Sequence, residues 1–401
     1  MVEKIYKRQI IGKILKYLES PEIIVIYGAR QVGKTHILKY LITNNIKENY
    51  FYLDLEIPSL LELCNSGAEE TYKYLLQKGA DKKKKIFLLI DEIQYLQNPS
   101  NFLKIMHDHY SNIKLIVSGS STFEIKKKFK ESLTGRTINF EVYPLNFNEF
   151  LEFKEKNYRL EEKNSSKINQ ELILLAEEFI KFGGYPKIVL ENDEEKKTAY
   201  LYQIIDTYIK KDIRDIGNIR DIDSFNKLVE ILASQSGQLL NVLEISKISK
   251  INKDTLISYL DLLENTFIIK RVKPFHRNLR SELTKNPKVF LLDTGMMHLL
   301  WLKEFPKILH GESFETYVFA ELIKAGKKIN FWRTTNKQEI DFIINDKKLR
   351  AIEAKINFQN SDSSALNFFS EKYNSEKFIT ALKGDKNNLG IYPWELLKII
   401  I

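Results

Sequence analysis

The sequence predicts an α/β chain: a doubly wound parallel sheet, then a helical lid, a winged helix-turn-helix and a second, smaller α/β unit. Short apolar runs alternate with helical stretches from Glu22 to Phe147, a glycine-framed loop lies between the first run and the first helix, and the pattern changes character twice after Tyr143-Pro144. With 401 residues the chain has room for two to three cores. Its 43% hydrophobic and 29% charged residues exclude disordered and fibrous classes.

The first twenty residues alternate Lys/Arg with Ile10, Ile14 and Leu18, an amphipathic basic helix that either packs on the domain or lies at a membrane surface. No apolar signal-peptide core is present. Four runs follow, Ile23 to Tyr27, Tyr50 to Leu55, Ile86 to Ile90 and Ile113 to Val117, with the unbroken apolar character of parallel strands buried on both faces. Thr35 to Ile42 and Phe102 to Tyr110 supply crossover helices, which closes a core over 1–143. Residues 144–222 are mostly helical and form the lid, broken by the turn Gly183-Gly184-Tyr185-Pro186. Over 223–287, Phe225, Leu228, Val229 and Leu232 mark one helix face, Asn241 with Glu244 a capping box, Leu256, Tyr259, Leu260 and Leu263 a second face, and Thr266 to Val272 a strand. That order suggests a winged helix. Over 288–401, a helix at Glu312 to Leu322 precedes strands at Ile340 to Ile344 and Leu349 to Ile356. No run approaches the roughly 18 apolar residues of a membrane span, so no membrane partner is expected. The single Cys64 excludes an internal disulfide and a Cys-x-x-Cys metal site, which points to a reducing cytoplasm.

The strongest chemical signal is Gly28-Ala29-Arg30-Gln31-Val32-Gly33-Lys34-Thr35, with His36 next, which fits G-x-x-x-x-G-K-[ST] between a strand and a helix. The glycines let the backbone curl so that its N–H groups and the helix N-terminus face phosphate oxygens. Lys34 is expected on the β- and γ-phosphates of ATP and Thr35 on Mg²⁺. Ile86 to Ile90 then delivers Asp91, a second Mg²⁺ group, and Glu92, the residue that activates the attacking water. In Ser118-Gly119-Ser120-Ser121, Ser118 either senses the γ-phosphate or is a polar strand end. Arg136 either brings positive charge to the transition state or is a surface Arg beside Lys126, Lys127, Lys128 and Lys130.

Together with Leu133-Thr134-Gly135, Tyr143-Pro144-Leu145, Glu149-Phe150 and the Gly183 to Pro186 turn, these residues resemble a prokaryotic AAA+-type P-loop ATPase family. It is related to the signal-transduction ATPases with numerous domains and is joined to a C-terminal domain of unknown function. The resemblance continues through Tyr259 to Pro274, Val289 to Gly295, Phe314-Glu315 and Phe331 to Lys355. It implies that Arg136 is an arginine-finger candidate, in cis or in trans, and that Gly184 and Pro186 touch the nucleotide base. In the tail, Asp341 on one strand and Glu353-x-Lys355 on the next place carboxylates and an ammonium on one face, with Glu315 as a fourth member. This resembles PD-(D/E)xK restriction-endonuclease-like nucleases; the alternative is an ion pair on a strand face or a site no longer catalytic.

Sixty-two Lys+Arg against 53 Asp+Glu give +9, and much of the excess lies between Lys270 and Lys288: Lys270, Arg271, Lys273, Arg277, Arg280, Lys285 and Lys288 against Glu282. The expected recognition helix instead shows Asp254, Asp261 and Glu264 against Lys253, so DNA contact is expected through backbone phosphates at the basic segment. The alternative is that this segment packs on the lid. The function expected is a Mg·ATP-dependent ATPase or ATP-gated switch acting on or regulated by DNA. The alternative is a non-hydrolysing nucleotide sensor or scaffold with a protein partner; a homo-oligomer stays open.

Overall fold

Five strands of the first unit, β1 (Ile23–Gly28), β2 (Tyr50–Asp54), β3 (Ile86–Asp91), β4 (Ile113–Gly119) and β5 (Thr137–Val142), form a sheet in the order β2-β3-β4-β1-β5, every pair parallel. The computed structural model describes residues 5–120, 133–158, 164–214, 217–275, 286–334, 336, 338–360, 363–386 and 388–400, and the chain divides into two compact units, Met1–Tyr143 and Pro144–Ile401. Ser121, the Lys126 to Lys130 cations, Arg277, Arg280, Glu282 and Lys285 lie outside the described residues.

The burial of the central strands matches their sequence: every residue of β1 and β4 is buried, as a strand covered on both faces requires. β5 carries no continuous apolar run, and Thr-Ile-Asn-Phe-Glu-Val buries only Phe140 and Val142. The helix Lys34–Asn44 turns Ile37, Leu38 and Leu41 inward, a spacing of one helix face. At the N-terminus the helix is shorter than expected, Ile10–Leu15, and it buries Ile11 and Ile14, so it is a packed helix and its inward stripe begins at Ile11 rather than Ile10. The register Tyr27↔Gly119 and Ile90↔Val117 brings the C-terminal ends of β1, β3 and β4 to one edge of the sheet. Ligands bind at that edge in open parallel sheets.

The second unit begins with helices, including Ser166–Phe182, Ile222–Ser234, Val242–Ser249 and Lys253–Asn265. Asn241 accepts from the Glu244 N–H at 3.3 Å, the Asn half of the predicted box. The strand predicted from Thr266 starts only at Ile269: Thr266 caps the preceding helix, its hydroxyl donating to the Leu262 carbonyl at 2.8 Å, and Phe267 has φ 59. β6 (Ile269–Val272) pairs antiparallel with β7 (Lys288–Leu291). A mixed sheet follows in the order β12-β11-β10-β9-β8, from β8 (Ile329–Arg333), β9 (Glu339–Asn345), β10 (Leu349–Ala354), β11 (Glu376–Thr380) and β12 (Gly390–Ile391). Ile340, Ile343, Ala351, Leu366, Phe369 and Ile379 share its core.

Two motifs of the second unit lock together. The Gly184 N–H donates to Asp293 Oδ2 at 2.8 Å, and a Cβ on Gly183 (φ +80) would lie 2.3 Å from Asp293 Oδ1. A Cβ on Gly295 would lie 2.1 Å from the Phe182 carbonyl oxygen, so only glycine permits this approach. Pro186 opens the short helix Pro186–Leu190, where its missing N–H costs nothing.

Candidate functional site

The loop after β1 passes through left-handed backbone at Gln31 (φ 62) and Gly33 (φ 95), and the helix that follows carries no side-chain cap, so its first N–H groups face the loop's hollow. The residues from Gly28 through Ala29, Arg30, Val32 and Thr35 to His36 complete this turn from strand into helix. Lys34 is buried and folds back on its own loop, its ammonium donating to the carbonyls of Ala29 at 2.8 Å and Gly28 at 3.2 Å. Burial pulls this ammonium down to about 8, with Glu92 and Asp91 opposing the shift.

Asp91, at the end of β3, collects hydroxyl donors from three elements. Thr35 Oγ1 donates to its Oδ2 at 2.6 Å, Tyr52 OH to the same oxygen at 2.9 Å, and the fully buried Ser118 hydroxyl to Oδ1. Burial, with the Asp91 charge next, raises the Tyr52 phenol, so it stays a donor across the neutral range. Glu92 is held in left-handed backbone (φ 54, ψ 47), which a non-glycine residue adopts only where its surroundings impose it. Its carboxylate accepts from Gln94 Nε2, and the Gln94 carbonyl oxygen accepts from the Ser120 N–H at 3.3 Å. Gln94 thereby ties Glu92 to the end of β4.

The structure thus brings Lys34, Thr35, Asp91, Glu92 and Ser118 to one edge. Arg136 is not there: its carbonyl accepts from the Ile23 N–H at 2.8 Å, at the start of β1, roughly 17 Å of strand from the loop at 3.3 Å per residue. Its guanidinium grips Asp108 through Nε at 2.9 Å and Nη2 at 3.0 Å. Gly184 and Pro186 belong to the second unit. Sequence reasoning missed Tyr52 and Gln94, and also Arg8, whose buried guanidinium donates to the carbonyls of Val32 at 2.6 Å and Tyr143 at 2.9 Å. No motif spacing marks these three. The set fits a triphosphate with a hard cation: a loop of inward N–H groups, one buried ammonium bonded to its own backbone, and a carboxylate–hydroxyl pair with the oxygen ligands that Mg²⁺ takes.

In the second unit, Asp341 on β9 and Glu353 on β10 are neighbours, and Asp341 Oδ2 accepts from the Ala354 N–H at 2.9 Å. Lys355 Nζ lies 2.9 Å from Glu353 Oε2 and 4.0 Å from Asp341 Oδ2. Glu315 is bonded instead to Lys288, 3.1 Å from Nζ. Burial, then the neighbouring Asp341 charge, pushes both Glu315 and Glu353 well above the carboxylate range. Among the described residues, no three acidic, imidazole or thiol groups converge as metal ligands.

The basic segment is less available than its sequence suggests. Glu264, expected on an exposed face, is 18% exposed at its side chain and bonds Lys270 at 3.1 Å and Arg271 at 2.6 Å, while Arg271 also reaches Asp261 at 2.6 Å. Lys288 is a buried residue with 4% side-chain exposure, not a surface cation.

Residues 20–151 match the family model described as an AAA domain; residues 174–306 and 310–393 match two domains of unknown function, DUF8612 and DUF4143. An uncharacterized protein of Methanocaldococcus jannaschii is 29% identical over 97% of this chain and 86% of its own length. One of Haemophilus influenzae is 28% identical over 84% of this chain and 83% of its own. Among solved structures, a Walker-type ATPase of Pyrococcus abyssi resembles the chain with a TM-score of 0.50 at 15% identity, over 75% of this chain and 97% of that one, a likeness of fold. The first unit has a parallel-sheet α/β P-loop fold. Among the described residues, no helix is long and apolar enough to cross a membrane.

Proposed function

We propose that the chain is a Mg·ATP-dependent ATPase whose first unit acts as a nucleotide-gated switch for the second. The observation that carries this reading is the Thr35–Asp91 pair at the mouth of a loop holding a buried Lys34. Lys34 would exchange its two backbone carbonyls for phosphate oxygens, and the loop's N–H groups would bind and orient the phosphates. Thr35 and Asp91 would hold Mg²⁺, which when bound neutralises charge on the β- and γ-oxygens. Ser118 and Tyr52 fix Asp91 by donating to its two oxygens. Glu92 takes the proton of the attacking water. Arg136, far from its own loop, is assigned to a neighbouring copy's nucleotide, and a role for Gly184 and Pro186 at the base rests on the family resemblance.

A second reading, nucleotide sensing without turnover, is favoured by one observation: the Glu92 carboxylate is already engaged by Gln94. In both readings the second unit, with its winged-helix and nuclease-like segments, receives the signal, and DNA contact runs through the cations from Lys273 to Lys285. Steady-state ATP hydrolysis by wild type, Glu92→Gln and Lys34→Ala, with and without DNA, separates them. Turnover that is lost in Glu92→Gln with ATP affinity retained supports the ATPase; tight binding without turnover leaves the sensor; unchanged affinity in Lys34→Ala sinks both. Stimulation by DNA that survives charge reversal of Arg277 and Arg280 removes the basic segment from the account.

A further inference from the structure

We infer that the carboxylate cluster of the second unit is an ammonium site: Lys288, not a divalent cation, is the counter-ion of Glu315, Glu339 and Asp341, and the cluster takes a metal only when that ammonium is removed. The inference is independent of what the first unit does with nucleotide.

The geometry begins with β7. Lys288 is its first residue, paired with Val272 of β6 and bridged to Leu239, so its backbone is fixed from both sides. Its Nζ lies 2.5 Å from Glu339 Oε1, 3.1 Å from Glu315 Oε1 and 3.9 Å from Asp341 Oδ1. Glu339 and Asp341 stand two apart on β9 and therefore share a face, while Glu315 comes from the helix Gly311–Lys324. Gly237 (φ +87) closes over Glu315: a Cβ there would lie 3.1 Å from Oε2. The Phe331 ring centroid is 5.7 Å from Nζ. An ammonium is attracted to an aromatic face as well as to carboxylates, whereas Mg²⁺ demands six oxygen ligands in octahedral array.

Several of the carboxylate oxygens are already engaged by groups other than a metal. Asp341 spends Oδ2 on the Ala354 N–H and Oδ1 faces Lys288; Glu339 Oε2 lies 3.4 Å from Arg333 Nη1; Glu353 is paired with Lys355. The buried Lys288 ammonium and the half-exposed Lys355 ammonium therefore answer four carboxylates, and burying such acids is tolerable only with partners of this kind. The consequence is chemical. A metal held by Glu315, Glu339 and Asp341 would have to displace the Lys288 ammonium.

The test is direct Mn²⁺ binding to the full-length protein without nucleotide, followed by paramagnetic resonance, with thermal melting in parallel. Wild type is expected to show no Mn²⁺ site that Asp341→Asn or Glu315→Gln abolishes. Lys288→Met is expected to gain one Mn²⁺ site, lost again in Lys288→Met/Glu315→Gln, and to melt higher with Mn²⁺ than without. Because Lys288→Met leaves buried acids unpaired, Lys288→Met/Glu353→Gln, which removes one charge of each sign and leaves Glu315, Glu339 and Asp341 in place, serves as a second variant, and it too should gain the site. A wild-type Mn²⁺ site that Asp341→Asn removes would overturn the inference. So would a folded Lys288→Met, or a folded double variant where Lys288→Met does not fold, that gains none.

Discussion

Lys34 makes nucleotide binding pH-dependent in a direction that is fixed by its burial. In the nucleotide-free fold its ammonium is lowered from 10.5 to about 8 by burial, opposed in part by Glu92 and Asp91. Lowering it that far costs on the order of 3 kcal/mol at neutral pH, at about 1.4 kcal/mol per tenfold change. A polyphosphate beside Nζ restores the charged form, so above the free value binding must take up a proton. Affinity is therefore full below about pH 8, then falls about tenfold per pH step up to roughly 10.5, a total of a few hundred-fold. Stability of the nucleotide-free fold moves the other way: the unfolded chain holds more protons between about 8 and 10.5, so this residue's unfavourable contribution fades as pH rises through that window. The assay is titration calorimetry with ATP in two buffers of different ionisation enthalpy. At about pH 8.5, roughly three quarters of free Lys34 is neutral and an uptake of about 0.7 proton is expected; at about pH 6.5 Lys34 contributes almost none. Equal heats in both buffers at the higher pH, with affinity flat from about pH 7.5 to 9.5, would refute the reasoning.

Two further predictions concern positioning and packing. Replacing Gln94 by Leu frees the Glu92 carboxylate and the Ser120 N–H together, so kcat should fall roughly 10- to 100-fold while ATP affinity stays within about threefold, measured by coupled hydrolysis and fluorescent-nucleotide binding; a faster kcat would instead mark Gln94 as a restraint. Gly295→Ala places a Cβ 2.1 Å from the Phe182 carbonyl oxygen, backbone against backbone, and should cost about 3 kcal/mol or more in denaturant unfolding. Gly12→Ala is the control: exposed in the helix Ile10–Leu15 with nothing within 4 Å of its new Cβ, it should stabilise by roughly 0.5–1 kcal/mol. Equal effects at the two glycines would show that the Gly295 contact is not the constraint described.

What the sequence disclosed depended on how local the cause was. β1, β3 and β4 are buried on both faces, which leaves continuous apolar runs, whereas β5 and β11 bury only part of their side chains and β12 is two residues long. The residues from Gly28 to Thr35 were legible because phosphate binding needs those types at contiguous positions. Tyr52 was not: its hydroxyl reaches Asp91 only because β2 pairs with β3 in the register Tyr52↔Leu89. Lys288 shows the limit most clearly. Read along the chain it belongs with its basic neighbours, yet its partners Glu315, Glu339 and Asp341 arrive from elements further along the chain, and only the β6–β7 pairing aims it at them. Lys270 and Arg271 fall to the same cause, because the strand that carries them packs beside Asp261 and Glu264.

The two carboxylate sites of this chain differ in what neutralises them, and that difference determines what each can bind. Asp91 is met by hydroxyls and a backbone N–H: Thr35, Tyr52, Ser118 and its neighbour Glu92 stabilise the anion with dipoles and leave its formal charge in place. A hydroxyl can also turn its lone pairs toward a cation, so Thr35 changes from donor to ligand without leaving Asp91. Such a site is charged and adaptable, which a cation that comes and goes with nucleotide requires. The second-unit cluster is met by ammoniums, which have no lone pair to offer and cannot share a metal. Lys288 must be displaced bodily, out of a position where β6, Leu239 and three carboxylates hold it, before a divalent ion can enter. Exchange at the first site therefore needs only hydroxyl rotation and small shifts, and exchange at the second needs a buried ammonium to leave its carboxylates. The acids around Lys288 are thereby tied to the packing of the second unit.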